Sequence, residues 1–469
     1  MNWSLQEIID ATQGSCSAVS EQERFASIGT DSRSIEPGGV FVALIGEKHD
    51  GHRFADAAVD RGARALVLQR GAVRPEALDG WHQRGICCIL VSDTLKALGD
   101  LAAFHRRRMH ALRVVAVTGS NGKTSTKNLT AAVLRQQAPV LSTEGNFNNL
   151  IGVPLTLFRV DTDHRWAVIE MGMNRFGEID RLGEIASPDI GVITNVAPAH
   201  LEGLGSIEGV ARAKAELLSH VRHWMVLNAD DPLVRAMQGR VKGKCLLFGQ
   251  DRQADIGARD IETDPAGSRF LLLLPGHDGV RVRLRLAGKA MVANALAAAA
   301  VGYSAGMSPE AIVSGLESVA PTAGRMCCID TPAGIRLIDD TYNANPGSMQ
   351  AALALLAPFC NDHRIFLVLG DMLELGADSA ALHRQLGRVA AAAGGFHRLL
   401  VCGRFAEETA KGAMEEGLTP SRIRVGSKPE LEEELKKRLR AGDWVFIKGS
   451  RGMGMESIVN GLRSWAERK

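Results

Sequence analysis

Single-sign charge, long apolar runs and paired-cysteine motifs are what this chain lacks. Its 55 basic and 53 acidic side chains leave a net charge of +2 over 469 residues. No global field therefore directs it to nucleic acid or to a membrane surface. No apolar run reaches the roughly 18 residues of a membrane span. The richest stretch, Met291 to Val301, is alanine-heavy and helical in pattern. The opening Met-Asn-Trp-Ser-Leu-Gln-Glu lacks the basic-then-apolar order of an export signal. The eight cysteines include no Cys-x-x-Cys. Two adjacent pairs, Cys87-Cys88 and Cys327-Cys328, fall in apolar stretches that read as buried strand, so reduced core thiols are expected. There is no internal repeat and no low-complexity tract. The one basic run, Phe104-His-Arg-Arg-Arg108, reads as the solvated end of a helix. These absences predict a soluble cytoplasmic protein with no nucleic-acid partner and no membrane insertion.

What is present begins at Arg113-Val-Val-Ala-Val-Thr-Gly119-Ser120-Asn121-Gly122-Lys123-Thr124-Ser125. A strand-like segment enters a glycine turn, and a helix-like segment follows. In that order backbone N–H groups can close on a triphosphate, Lys123 supplies charge, and the Thr124 hydroxyl can ligate Mg²⁺. The loop is two residues shorter than the usual Gly-x-x-x-x-Gly-Lys-Ser/Thr form, since only Ser120 and Asn121 separate the glycines.

The length is too great for one core and suggests about three domains. Residues 1–105 alternate short strands (40–44, 65–68, 86–91) with helices, and a helix near 94–109 connects onward. Residues 106–319 carry strands at 114–118, 166–170 and 190–195, with helices at 125–136, 176–185 and 207–220. That pattern describes a doubly wound, mostly parallel sheet with a strand-rich insert over 224–286. A linker near 319–325 leads to residues 320–469, a second α/β unit of the dinucleotide-fold type with strands at 337–339, 365–370, 399–403 and 444–449.

In such sheets ligands bind beyond the carboxyl ends of strands. The strand Trp166-Ala-Val-Ile-Glu170 delivers a carboxylate to the edge that holds the phosphate loop, where it suits Mg²⁺. Thr194-Asn195-Val-Ala-Pro-Ala-His200 delivers an imidazole there. Between them, Ser142-Thr-Glu-Gly145-Asn146-Phe-Asn148-Asn149-Leu-Ile-Gly152 reads as a binding loop that presents amides to a polar substrate. Lys214, by spacing alone, is a solvated helix residue.

Together with Asp339-Asp340-Thr-Tyr342-Asn343-Ala-Asn345-Pro, these motifs resemble the Mur ligase family of peptidoglycan synthesis, over essentially the whole chain. The resemblance implies three α/β domains: one for a uridine nucleotide, a central ATP-binding one, and a C-terminal Rossmann-like one. It implies ATP and Mg²⁺ as cofactors and formation of an amide through an acyl phosphate. The small-molecule substrates would be UDP-MurNAc-tripeptide and D-alanyl-D-alanine, and a monomer is expected. The phosphate loop, Gly119 to Ser125, would hold ATP, with Asn294 near the adenine and Arg325, Asp340, Tyr342, Asn343 and Asn345 contributed across the second linker. One Mg²⁺ would sit at Thr124 and Glu170, and another at His200 and a carbamylated Lys214. Lys123, His200 and Lys214 would be the catalytic set. Ser32 and Arg33, in Asp31-Ser-Arg, would meet the uridine diphosphate. Asn146, Asn148 and Asn149, with Lys448, Ser450 and Arg451, would contact the peptide substrates. Gly288-Lys-Ala290-Met291 departs from the family's Gly-x-His-Asn, which leaves the adenine pocket two polar side chains short.

Two rivals are weighed. Another ATP-dependent amino-acid ligase of the superfamily, diamino-acid-adding or folylpolyglutamate synthase-like, would share the ATP site. The chain lacks the Asp-Asn-Pro-Arg motif of the former, and its Asp-Ser-Arg and Asp-Gly-His segments argue against the latter. A nucleotide switch would need triphosphate hydrolysis without an acceptor, and no guanine-reading Asn-Lys-x-Asp is present.

Overall fold

A computed structural model describes residues 2–16, 23–46, 49–198, 200–251 and 253–468. The Val/Ile/Leu-rich runs form strands buried on both faces, as parallel sheets require. In the first sheet the order is Ser15–Cys16, Cys87–Val91, Ala65–Gln69, Val40–Val42, Ile28–Gly29, parallel except for the first strand.

The central sheet has nine strands. Its parallel part runs Lys244–Gly249, Trp224–Asn228, Ile190–Ile193, Arg113–Thr118, Trp166–Glu170, Val140–Ser142. Beyond Lys244–Gly249 the sheet continues through Ile256–Asp264, then antiparallel through Gly267–Leu273 and Val280–Leu284. The stretch read from sequence as an insert is therefore an extension of the same sheet. Arg113–Thr118 lies between Ile190–Ile193 and Trp166–Glu170. The three loops that follow these strands consequently share one edge.

The third sheet orders Cys327–Asp330, Arg336–Asp340, Trp444–Lys448, Ile365–Leu369, Arg398–Val401, Ile423–Val425, with only the first strand antiparallel. Cys87 and Cys88 are buried, whereas Cys327 and Cys328 on the edge strand are only half-buried, and all eight cysteines are free.

The basic run at the end of helix Thr94–Arg108 is not simply solvated. His105 and Arg106 are buried. Arg106 donates to Ala186 O at 3.2 Å and reaches Asp189 Oδ2 at 3.4 Å, while His105 Nε2 bonds Val160 O at 3.0 Å. The helix is thereby bolted to the central sheet. One apolar cluster runs unbroken from Trp3, Val40 and Val67 through Leu98 and Leu101 to Val114, Leu157 and Ile193. The C-terminal sheet has its own two clusters, one on each face, and both are separate from this one.

Candidate active site

The phosphate loop leaves Arg113–Thr118 and becomes the N-terminus of helix Lys123–Arg135. Gly119 and Gly122 have φ of 151° and 79°. A Cβ on Gly119 would overlap Thr194 Oγ1, and one on Gly122 would overlap Asn294 Oδ1, so both positions need glycine for space as well as for φ. The loop is braced from the next strand end. Thr194 Oγ1 donates to Asn121 O at 2.6 Å, and Asn195 pairs with Asn121 through N–H to Oδ1 at 2.8 Å and Nδ2 to O at 3.1 Å. Ser120 Oγ bridges to Ala197. Lys123 Nζ curls onto the loop carbonyls of Gly119 (2.7 Å) and Ser120 (3.3 Å). Burial lowers its pKa, opposed by Glu170 and aided by Arg325.

Thr124 is the junction of the site. Its hydroxyl donates to Glu170 Oε2 at 2.8 Å and accepts from Arg325 Nη2 at 2.9 Å, a residue 201 positions away on the C-terminal side of the linker. The other Glu170 oxygen accepts from Asn148 Nδ2 at 2.9 Å. Arg325 also stacks on Tyr342, its guanidinium carbon 3.9 Å from the ring centroid. Asn345 caps helix Pro346–Leu356 through Ser348 N and reaches across to Asn121 Oδ1 at 2.5 Å.

Lys214 is buried, not solvated: its side chain ranks among the largest that are fully enclosed. Burial first, and the charge of Lys123 second, push its pKa well below the usual lysine value. His200, in a left-handed conformation (φ 55°), places Nδ1 2.9 Å from Glu374 Oε2 on the C-terminal side.

Much of this site lines a cavity of about 1060 Å³. Ser120 to Ser125, Asn146, Asn148, Asn149, Glu170, His200, Asn294, Arg325, Asp340, Tyr342, Asn343, Asn345 and Lys448 all face it. Its apolar lining includes Phe248, Ala290, Met291, Ala351 and Leu355. Asn294 lies beneath Gly122, accepting from Thr126 Oγ1 at 3.2 Å.

Other candidates are otherwise engaged. The Lys448 ammonium is spent on Asp340 Oδ2 (2.5 Å) and Asn343 O (2.9 Å). Buried Ser450 ties Leu373 N to Ala344 O. Gly119 and Lys214 do not line the cavity, and exposed Arg451 pairs with Glu456 at 3.2 Å, with its guanidinium carbon 6.0 Å from the Tyr342 ring centroid. Ser32 and Arg33 lie outside the cavity, with Arg33 paired to Asp31 at 2.8 Å. That contact lowers the Asp31 pKa to about 2.

Sequence reading passed over the second layer. Lys127 Nζ donates to Thr143 O at 2.5 Å, and Thr143 Oγ1 accepts from Glu170 N at 2.9 Å, which fixes the carboxylate strand end. Asn228 Nδ2 holds Thr194 O at 2.7 Å. Glu374, which meets His200 at 2.9 Å, carried no site role in the sequence reading, where it stood only in the stretch Leu369-Gly370-Asp371-Met-Leu-Glu374 just past a strand end.

For a hard divalent cation the Thr124 hydroxyl and the Glu170 carboxylate are suitable oxygen donors. Among the described residues no three His, Cys, Asp or Glu side chains converge on one point. A cation here would therefore complete its shell with substrate phosphate oxygens.

Three family descriptions match the chain: Mur ligase family, catalytic domain, over residues 24–106; Mur ligase middle domain over 117–302; and Mur ligase, glutamate ligase domain, over 324–451. A UDP-N-acetylmuramoyl-tripeptide–D-alanyl-D-alanine ligase of Escherichia coli is 40% identical over 445 residues, 93% of each chain. The Bacillus subtilis protein of the same description is 36% identical over 94% of each chain. Among solved structures, a MurF crystal structure from Acinetobacter baumannii is 33% identical with a TM-score of 0.89 over 99% of each chain. A MurF ligase from Thermotoga maritima in complex with ADP is 28% identical with a TM-score of 0.82, covering 94% of this chain and 98% of that one.

Proposed function

The chain belongs to the Mur ligase family, and from that premise we propose how its cleft carries out the reaction. The protein is an ATP-dependent ligase that joins D-alanyl-D-alanine to UDP-N-acetylmuramoyl-tripeptide, a step in making the peptidoglycan precursor. The observation that carries the site reading is the Thr124 hydroxyl, held between Glu170 and, from across the linker, Arg325.

In our reading, residues 1–105 seat the uridine nucleotide, with Ser32 and Arg33 at its diphosphate. Residues 106–319 hold ATP, and residues 320–469 bring the acceptor. The chain acts as a cytoplasmic monomer. The loop from Gly119 to Ser125 cradles the β- and γ-phosphates, while Asn294 and the apolar lining of the cleft receive the base. The terminal carboxylate of the tripeptide attacks the γ-phosphorus, ADP leaves, and an acyl phosphate remains. The dipeptide amine then adds to the acyl carbon, and the tetrahedral species expels phosphate and loses a proton to give the amide. The carboxylate, the triphosphate and the transition state are all anionic, so Lys123 and Arg325 contribute by neutralising charge as it moves. Asn146, Asn148 and Asn149 bind the peptide, with Asn148 also steadying Glu170.

Mg²⁺ would be held by Thr124 and Glu170 and by His200 with Lys214, supplying Lewis-acid polarisation of phosphoryl oxygens. Lys214 fits that role once its neutral amine has added CO₂ and released a proton, giving a carbamate with two oxygen donors. As an ammonium it would repel the cation.

Phosphate release with ATP and Mg²⁺ tests the reading. Release is expected only when both UDP-MurNAc-tripeptide and D-alanyl-D-alanine are present, with a product heavier by one dipeptide. Release with neither substrate would replace the ligase with a nucleotide switch.

A further inference from the structure

The loop after strand Ile365–Leu369 is a rigid hook. The buried Asp371 carboxylate accepts from Arg404 N (2.6 Å) and Phe405 N (3.1 Å). Met372 N donates to His383 Nε2 at 2.9 Å, and Leu373 N donates to Ser450 Oγ at 2.9 Å. These anchors precede Glu374, whose φ is 63°, a left-handed value that non-glycine residues adopt only when neighbouring contacts enforce it. The outcome is a carboxylate projected across the cleft to His200, yet still 65% exposed.

Two further features lie beside it. Leu373 is one of the few exposed large apolar side chains, and its Cδ1 is 2.9 Å from where a Cβ on Gly452 would stand. The hook therefore packs on the Arg451–Met453 turn, whose Arg451 guanidinium is 66% exposed while it pairs with Glu456 at 3.2 Å, an exposed contact that a ligand carboxylate can replace. Leu373 thus touches the turn that carries Arg451, and Glu374 follows it in the chain. Asp340, the acidic residue that the C-terminal side offers to the cavity itself, is already neutralised by Lys448, and Glu374 stands at the rim beside His200. Glu374 has no cationic partner from its own domain among the described residues.

A D-alanyl-D-alanine zwitterion presents an ammonium, two methyl groups and a carboxylate in that order. We propose that Glu374 is the ammonium anchor of the acceptor site, with Leu373 against the methyl groups and Arg451 facing the far carboxylate. This rests on the ligase reading above. The anchor sits against His200, on the strand-end edge that also carries Lys123 and Glu170, so a bound amine faces the carboxylate being activated. Binding through one charge-assisted hydrogen bond sets the size of the effect.

Steady-state kinetics of the full chain test it. Glu374→Gln should raise the KM for D-alanyl-D-alanine by roughly 10- to 100-fold. The KM values for ATP and UDP-MurNAc-tripeptide should stay unchanged, and kcat should recover at saturating dipeptide. D-lactyl-D-alanine, with a hydroxyl in place of the ammonium, should bind the wild type more weakly than the dipeptide does, and the variant should bind the two alike. An unchanged dipeptide KM overturns the proposal. So does an equal rise for all three substrates, which would make Glu374 a domain-closing contact. A wild-type chain that ignores the dipeptide overturns the ligase reading first, and this proposal with it.

Discussion

Gly119→Ala and Gly145→Ala form a matched pair that separates space from conformation. Both glycines have positive φ, 151° and 52°. At Gly145 no atom lies within 4 Å of an added Cβ, so only the left-handed backbone opposes alanine, a cost of about 1–2 kcal/mol. At Gly119 the Cβ would overlap Thr194 Oγ1 and stand 3.1 Å from Thr194 Cβ and 3.3 Å from Asn195 N. Relief requires Thr194 to move, and Thr194 is what holds Asn121 O at 2.6 Å. Overpacking of this kind adds about 1–3 kcal/mol to the backbone strain. Gly119→Ala should therefore lose about 2–5 kcal/mol in all by denaturant unfolding. Displacing the brace should also weaken ATP binding by at least roughly tenfold, as about 1.4 kcal/mol corresponds to tenfold. Calorimetric titration with ATP reads the second effect. Gly145→Ala should leave nucleotide affinity near wild type. Equal losses in the two variants, or full ATP affinity in Gly119→Ala, would refute the steric argument.

Arg325→Ala removes both the bond to Thr124 and the stack on Tyr342, and kcat/KM for ATP should fall by roughly 10- to 1000-fold, with Arg325→Lys recovering little because a lysine cannot stack in the same plane. Lys214→Ala should abolish turnover, and short-chain carboxylates should restore part of it by replacing the carbamate; full activity without them would exclude the modification. Asp189→Ala leaves Arg106 buried without its partner and should destabilise the central domain by about 3–5 kcal/mol in urea unfolding. Burial pushes the Cys88 thiol from 9.0 to about 12, so the native chain keeps a proton that the unfolded chain gives up. The corresponding stability is whole below pH 9.0 and is lost as pH rises toward about 12. Urea midpoints measured at pH 8 and pH 10.5 should fall less steeply in Cys88→Ala than in wild type.

The parts of this molecule legible in sequence are those encoded within a few residues. Strand Trp166–Glu170 and the turn from Gly119 into helix Lys123–Arg135 carry their own apolar run, glycines and helix start. What was not legible depends on partners distant in sequence. Alternating residues marked Val280–Leu284 as a strand, but not that it would extend the central sheet by pairing with Gly267–Leu273. Lys214 looked like a solvated helix residue because burial is decided by neighbouring elements, not by its own spacing. Arg106 was read as surface for the same reason; its partner Asp189 is 83 positions away. Lys448 and Ser450 were correctly placed at a strand end, yet the structure gives their polar atoms partners within the C-terminal domain itself. Glu374 became visible only once the folded hook set its direction.

The unbroken apolar cluster beneath the first two sheets has a consequence for substrate choice. In the proposed reading, with the uridine nucleotide on the first sheet and ATP at the phosphate loop of the second, the shared core holds the two at a set separation. The pair acts as a fixed-length gauge. A precursor bearing too few peptide residues leaves its carboxylate short of Lys123, and one already extended overshoots. In that reading, selection by residue count arises from the packing of Trp3, Leu98 and Leu157, all buried in the shared core.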